Sequence, residues 1–263
     1  MRPILFSIGP LEIHAYTVCM LTAFLVVGWL SYREAKRRLR LTEDTLMVGS
    51  VALLGGVVGA KLGMLVFLGP AEFWRLLPTI PAHGATLAGG LAGGYLAATL
   101  AERAFKVEQC TGDIIAPFIP LGQAIGRLGN FLAGDAYGSP SNLPWAVYQG
   151  GAYRHPAQLY ELVLDLALFA FLLNFRRRSF RDGEVFRVYL FGYALIRFPL
   201  EFLRYQPTPL DFLGLTLVQW LCLAAMVVFA VQQYTQSKGA NCVCDLLPRF
   251  RRKAAVARAG GDE

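Results

Sequence analysis

Two arginines set in apolar sequence are where this chain could do chemistry. Arg127 follows IIAPFIPLGQAIG, Asn130 comes three residues later, and Asp135 stands behind Gly134. Arg197 lies in GYALIRFPLEFLRY, four residues before Glu201, and Arg204 comes three beyond that. Residues three or four apart share a helix face, so Arg197 can pair with Glu201 and Arg204 continues the face. A guanidinium stays charged at any working pH, and two of them in apolar surroundings require an anion. Asp135 and Glu201 are carboxylates that could supply it. A phosphate suits the planar fork better, because two of its oxygens meet two parallel N–H donors. The chemistry implied is phosphate recognition, and at membrane depth that phosphate is a phospholipid headgroup. The plainer reading of the second motif is a local helix ion pair, with Arg204 snorkelling at the helix end.

Other polar residues have readings of their own. Lys61, inside GAKLG, expects a carboxylate partner such as Asp113, and Asp165 in LYELVLDLALF expects an interior hydrogen bond or a shared proton. His155, beside Arg154, is a ligand, a general base or a structural histidine. Gly126 and Gly129 allow close helix approach, whereas Gly134 and Gly138 bound a turn that lets backbone reach a ligand. The runs GGVVGAKLG at 55–63 and GGLAGGYLAA at 89–98 read as tight helix packing. Trp145, Tyr148, Tyr153 and Tyr160, in or beside the polar segment 134–156, suit a membrane interface.

The elements that must position these residues are membrane-spanning helices. The 263 residues are 55% hydrophobic and 16% charged, where a soluble domain carries about 25% charged. Stretches long enough to cross a bilayer core of about 30 Å as helix fall at 14–32, 46–68, 85–104, 113–133, 156–175, 184–203 and 213–233. No sustained strand alternation suggests a barrel. The first stretch has no small-residue cleavage site after it and reads as a helix, not a signal peptide. The expected fold is therefore all-α: one seven-span membrane domain over 1–233, followed by a basic tail over 234–263 that is predicted to be disordered.

Charge orients the domain. Seventeen lysines and arginines fall after spans 1, 3 and 5 and in the tail, against four (Arg2, Arg75, Arg154 and Arg204) in the opposite loops. Basic loops mark the cytoplasmic side, so the N-terminus is expected outside and the C-terminus inside. The net charge of +7 then reflects topology and contact with anionic membrane lipids, and nucleic acid is excluded as a partner because no single basic face exists. Cys242 and Cys244 form one isolated C-x-C, and the three histidines at 14, 83 and 155 are scattered. No metal site is expected from either set.

The stretches GDIIAPFIPLGQAIGRLGNFLAGDAYG, LPWAV, RHPAQLYE and GYALIRFPLEFLR, with IHAY before the first span, together resemble the bacterial phosphatidylglycerol–prolipoprotein diacylglyceryl transferase family, over roughly residues 3–233. The resemblance implies a multi-pass enzyme of the bacterial cytoplasmic (inner) membrane, without cofactor. Such an enzyme moves the sn-1,2-diacylglyceryl group of phosphatidylglycerol onto the lipobox cysteine thiol of a prolipoprotein. A thioether forms and glycerol 1-phosphate leaves, the first step of lipoprotein maturation. Carried over by position, it implies catalytic roles for Tyr16, Arg127, Asn130, Asp135, Arg197 and Glu201. Asp135 stands where the family commonly has Glu. It implies substrate contacts for Arg127, Gly138, His155, Gln158, Tyr160, Arg204 and His83, with Glu161 following in the same run. Two departures stand out. Ala88 falls where many members have a histidine before Gly-Gly-Leu, His83 being the alternative alignment, and Lys61 replaces a usual arginine. Two other readings stay open: a lipid-binding paralogue without transfer, and a transporter.

Overall fold

The structure is a computed structural model that describes residues 4–8, 11–38, 43–68, 86–107, 111–177, 183–205 and 211–237. His83, Cys110, Cys242, Cys244 and the basic tail from 238 onward lie outside the described residues. The chain is mostly helical. A hairpin of β1 (Ile4–Ile8) and β2 (Leu11–His14) leads into α1 (Ala15–Arg38), followed by α2 (Glu43–Leu68) and α3 (Leu87–Ala104). A short α4 (Gly112–Ile115), a 3-10 turn (Ala116–Phe118) and α5 (Ile119–Ala133) form one broken helix. The hairpin β3 (Val147–Gln149) and β4 (Ala152–Arg154) precedes α6 (Ala157–Phe175) and α7 (Glu184–Glu201). A last hairpin, β5 (Asp211–Phe212) and β6 (Leu215–Thr216), leads into α8 (Leu217–Ser237).

Each of the seven expected spans coincides with one of these helices, the fourth with the α4–α5 unit. Four of them, α1, α2, α6 and α8, are long and apolar enough to cross a membrane. The other three depart from a plain apolar span for visible reasons: α3 is rich in glycine, α5 is set off from α4 by Pro117 and Pro120, and α7 carries Arg197 and Glu201. Proline lacks an N–H, which a first helical turn does not need, so the two prolines restart the helix and do not end it. The three hairpins are additions to the all-α expectation. Their strands run two to five residues, too short for alternation to register in the sequence.

Packing follows the small residues. Gly55, Gly59 and Gly63 on α2 face Gly89, Gly93 and Ala97 on α3 so closely that a Cβ on the facing glycines would meet backbone, as expected of small residues four apart. Thr86 pins this pair: its N–H donates to Ala60 O at 2.9 Å, and its hydroxyl accepts from Gly89 N, capping α3. Helix α1 lies against α5 in the same way, with Val27 over Gly122, Met20 over Gly126, and Cys19 and Tyr16 over Gly129. The two helices are thus antiparallel, and Tyr16 is level with the end of α5.

Helix α6 shows the solvent it folds in. Its buried stripe is Gln158, Glu161, Asp165, Leu168 and Leu172, while Val163, Leu164, Leu166 and Phe171 are exposed. The spacing of three and four defines one face, but the polarity is inverted relative to a soluble helix: three polar side chains point inward and aliphatics outward. That is the pattern of a lipid-surrounded helix lining a polar interior. Deeper along the stripe, Leu168 and Leu172 join Ala116, Val185 and Tyr189 in an apolar core.

Candidate active site

Local backbone first places the residues of the 126–140 motif. Gly134 takes φ +81° and ends α5, and the N–H groups of Gly134 and Asp135 both return to Asn130 O at 3.0 Å. Only glycine adopts this left-handed position without penalty. The chain then turns away, leaving Asp135 exposed, while Arg127 remains one face further down on α5.

Arg127 meets Glu161, not Asp135. Its Nη2 donates to Glu161 Oε1 at 2.6 Å. The other oxygen of Glu161 lies 3.8 Å from Arg197 Nη1, and Tyr193 Oη donates to Oε1 at 3.2 Å. Glu161 therefore joins α5, α6 and α7. Among the described residues Asp135 forms no ion pair; it makes its contacts through main chain, its carbonyl accepting from Gln158 Nε2 at 2.8 Å. Of the two carboxylates available as counter-charge, Glu201 pairs with Arg197, and among the described residues Asp135 pairs with neither arginine.

The Arg197–Glu201 pair forms as the spacing required, with Nη2 to Oε2 at 2.5 Å. Both side chains are buried. Glu201 Oε1 accepts from Thr216 Oγ1 at 3.4 Å, which brings in α8. Thr216 and Gln219 form a capping box there: Gln219 N donates to Thr216 Oγ1, and Thr216 N donates to Gln219 Oε1, satisfying two orphan donors of the helix start. Arg204 comes close to Arg197 and Arg127. Burial first, then those two cations, push its guanidinium below the ordinary arginine value. Two guanidiniums thus share Glu161, and one of them is also bonded to Glu201. Asp165, one turn inward of Glu161, is fully buried with no hydrogen bond to either oxygen among the described residues, so the interior hydrogen bond expected for it does not form.

The remaining candidates form a rim over this cluster. Gly138 N donates to His155 O at 3.0 Å, His155 N to Ser139 O, and Ser139 N to Leu203 O at 2.8 Å. Gly138 also pairs with Arg204 as an isolated bridge. A Cβ on Gly138 would lie 2.6 Å from His155 O and 2.9 Å from Leu203 O. The close crossing of two chain segments accounts for a glycine at this position. Gln158 is buried, and its amide donates to Asp135 O and to Gln149 Oε1 at 3.1 Å. Its donors hold protein to protein. Trp145 Nε1 donates to Tyr160 Oη at 2.8 Å, and that hydroxyl stands 3.4 Å from His155 Nδ1. Trp145, Tyr160, Val147, Pro156, Leu159, Val163 and Leu164 line a groove on the outside of α6. Tyr16 is exposed beside Gly129, and Ala88 is exposed in the first turn of α3. The carboxylate of Asp113 caps α7, accepting from Gly183 N at 2.6 Å and Phe186 N at 2.9 Å. Among the described residues no three His, Cys, Asp or Glu side chains group as a metal site would need.

Sequence reasoning named Glu161 only as part of a resembling run, without a role, and passed over Tyr193 and Arg154. Glu161 had a signal: with Gln158 and Asp165 it sets polar groups three and four apart on an otherwise apolar helix. Tyr193 had none, being one of many aromatics in the chain.

Arginines paired with glutamates across three helices, at one end of an apolar bundle, define a helical membrane protein with a charged interior cluster. The family model for prolipoprotein diacylglyceryl transferase matches residues 3–234. The phosphatidylglycerol–prolipoprotein diacylglyceryl transferase of Bordetella avium is 38% identical over 238 residues, covering 84% of this chain and 89% of that protein. Those of Aromatoleum aromaticum and Methylococcus capsulatus are 37% and 34% identical, covering 86% and 87% of this chain and 92% of each relative. The chain belongs to the prolipoprotein diacylglyceryl transferase family.

Proposed function

We propose that this protein transfers the sn-1,2-diacylglyceryl group of phosphatidylglycerol to the lipobox cysteine of prolipoproteins. The observation that carries the reading is that Arg127 and Arg197 share Glu161, that Arg197 also pairs with Glu201, and that Arg204, bridged to Gly138, adds a third cation at the end of α7. A phosphodiester monoanion suits the remaining cationic capacity. Membership of the family supports the same chemistry.

The reaction forms one C–S bond and breaks one C–O bond. The cysteine sulfur attacks the glyceryl carbon next to the phosphate, and the C–O electron pair leaves on the phosphate oxygen. The thiol proton and that new charge together complete glycerol 1-phosphate. The thiolate is the nucleophile, and a free cysteine has a pKa of about 8.5, so the proton must depart before or with attack. Charge growing on the leaving phosphate is where fixed guanidiniums act, most strongly in a water-poor site. Glu161 and Glu201 hold Arg127 and Arg197 so that no reorganisation is needed when charge develops. His155 and Gly138, on the rim, are assigned to the headgroup, as are Gln158 and Tyr160 through the main chain they order. Tyr16 and Asn130 belong to the α1–α5 edge of the site.

The topology proposed is seven spans in the bacterial inner membrane, with the hairpin end outside and the basic loops facing the cytoplasm. One membrane domain covers 1–233, with a basic tail beyond it. The asymmetry of lysine and arginine supports this.

The test uses purified protein in detergent with phosphatidylglycerol and a lipobox peptide carrying one cysteine. A diacylglyceryl mass gain on the peptide with stoichiometric glycerol phosphate is expected. No gain, with phosphatidylglycerol bound and a histidine-bearing family member active alongside, would overturn the transferase reading in favour of a binding paralogue.

A further inference from the structure

We infer that Arg154 is a positioning residue that holds the rim of the phosphate site, and that it does so without binding phosphate itself. The inference rests on the transferase reading for its assay and on geometry for its substance. Arg154 is 6% exposed, and among the described residues no carboxylate pairs with it. Its N–H groups donate instead to main-chain carbonyls: Nε to Gln149 O at 3.0 Å, Nη1 to Gly138 O and Nη2 to Gly150 O, both at 3.5 Å. The guanidinium also lies against the rings of Tyr205 and Tyr137, centroids 3.9 Å and 4.8 Å away, and these two rings pack on each other at 5.8 Å.

A buried cation without an anion is costly unless its donors and its faces are satisfied. Three main-chain carbonyl dipoles and the quadrupoles of two neighbouring rings take that part here. With its donors on carbonyls and two rings against it, Arg154 is engaged by the protein itself. It does hold together the pieces that carry the rim. Tyr205 follows Arg204 directly, and its N–H donates to Tyr137 O. Gly138 O accepts from the guanidinium while Gly138 N donates to the carbonyl of His155, the residue next to Arg154. One planar group therefore ties the segment after α5, the β3–β4 hairpin and the end of α7, fixing Gly138, His155 and Arg204 relative to one another. The hairpin is shaped for this contact: Gly150 and Gly151 take φ +53° and +82°, the conformation of a two-residue type I′ turn, which brings Gln149 O and Gly150 O to the guanidinium. A lysine in this place keeps the charge but neither the fork nor the stacking plane.

The test compares wild type, Arg154→Ala and Arg154→Lys in nanodiscs. It measures phosphatidylglycerol affinity by calorimetry, KM for the lipid and kcat in the peptide assay, each with and without millimolar guanidinium. Arg154→Ala and Arg154→Lys are expected to raise lipid KM and Kd about tenfold with kcat changed much less, since a loosened rim weakens binding before chemistry. Guanidinium, but not ammonium, is expected to restore Arg154→Ala. Unchanged KM with a reduced active fraction would make Arg154 a folding residue only and overturn the proposal, as would a fully active Arg154→Lys. Tyr205→Ala and Tyr205→Phe keep the question open to test if Arg154 variants do not fold: the ring-less variant is expected to weaken lipid binding and the phenyl variant to retain it, and equal affinities would count against the clamp. Wild type that binds the lipid but transfers nothing would refute the transferase reading while leaving the affinity comparison to decide Arg154.

Discussion

Arg127 Nη2 reaches Glu161 Oε1 at 2.6 Å, joining α5 to α6 inside an apolar bundle. Both side chains are shielded, and Glu161 also faces Arg197 and receives Tyr193. Removing one partner of a buried pair leaves the other uncompensated, at about 3–5 kcal/mol. Glu161→Ala should therefore lower the thermal midpoint in detergent substantially. Glu161→Gln, which keeps shape and one acceptor, should unfold closer to wild type yet lose transfer. A Glu161→Gln enzyme with normal turnover would remove Glu161 from the site.

Arg127→Ala and Arg197→Ala should abolish transfer while the protein still inserts. Loss of one donor to a developing oxyanion lowers kcat by roughly 10²–10³, and a lysine at either place should recover little of it, because the fork to Glu161 or Glu201 is gone. Single-turnover rates with saturating lipid check this. Near-normal rates in Arg127→Ala would rule that arginine out of the mechanism.

Gly138→Ala puts a methyl 2.6 Å from His155 O and 2.9 Å from Leu203 O. Backbone on both sides must move, at about 1–3 kcal/mol for overpacking. The rim should open, so lipid KM should rise more than kcat falls. A variant with wild-type melting and kinetics would mean that the crossing of the two chains is looser than described.

Tyr160 accepts the indole N–H of Trp145, so its own proton is free for His155 Nδ1. If the hydroxyl donates to Nδ1, the ring proton is on Nε2. Nitrogen-15 spectra of histidine-labelled protein should show one ring of this tautomer that changes in Tyr160→Phe. An unchanged spectrum would break the proposed chain.

Gly93→Leu should separate α2 from α3, since that position faces Gly55 and Gly59 through backbone contact. Reduced yield of folded protein and a lower melting point are expected. Gly28→Leu, at a position with open space around it, is the matched control and should melt as wild type does.

The seven helices were legible because a span is a local property: length and apolarity decide it within one stretch. The Arg197–Glu201 pair was legible for the same reason, since four residues of one helix bring the two side chains onto one face. The packing of α2 on α3 was equally visible, because glycines four apart have few other uses between helices. The hairpins escaped because their strands are shorter than the period that would reveal them.

The sequence by itself therefore determined the lipid-facing helices, the residues that cannot be left in lipid, and the need of two buried arginines for an anion. It did not determine which carboxylate Arg127 meets, nor that Arg197 shares it. Arg127 and Glu161 are 34 residues apart, on helices whose relative rotation depends on glycine contacts with α1 and on the rim above. Asp135 is nearer along the chain, but Gly134 turns it out of the bundle. Only the tertiary structure decided these pairings, because register between helices is the sum of many contacts across the fold, whereas periodicity along a helix is set by its backbone alone.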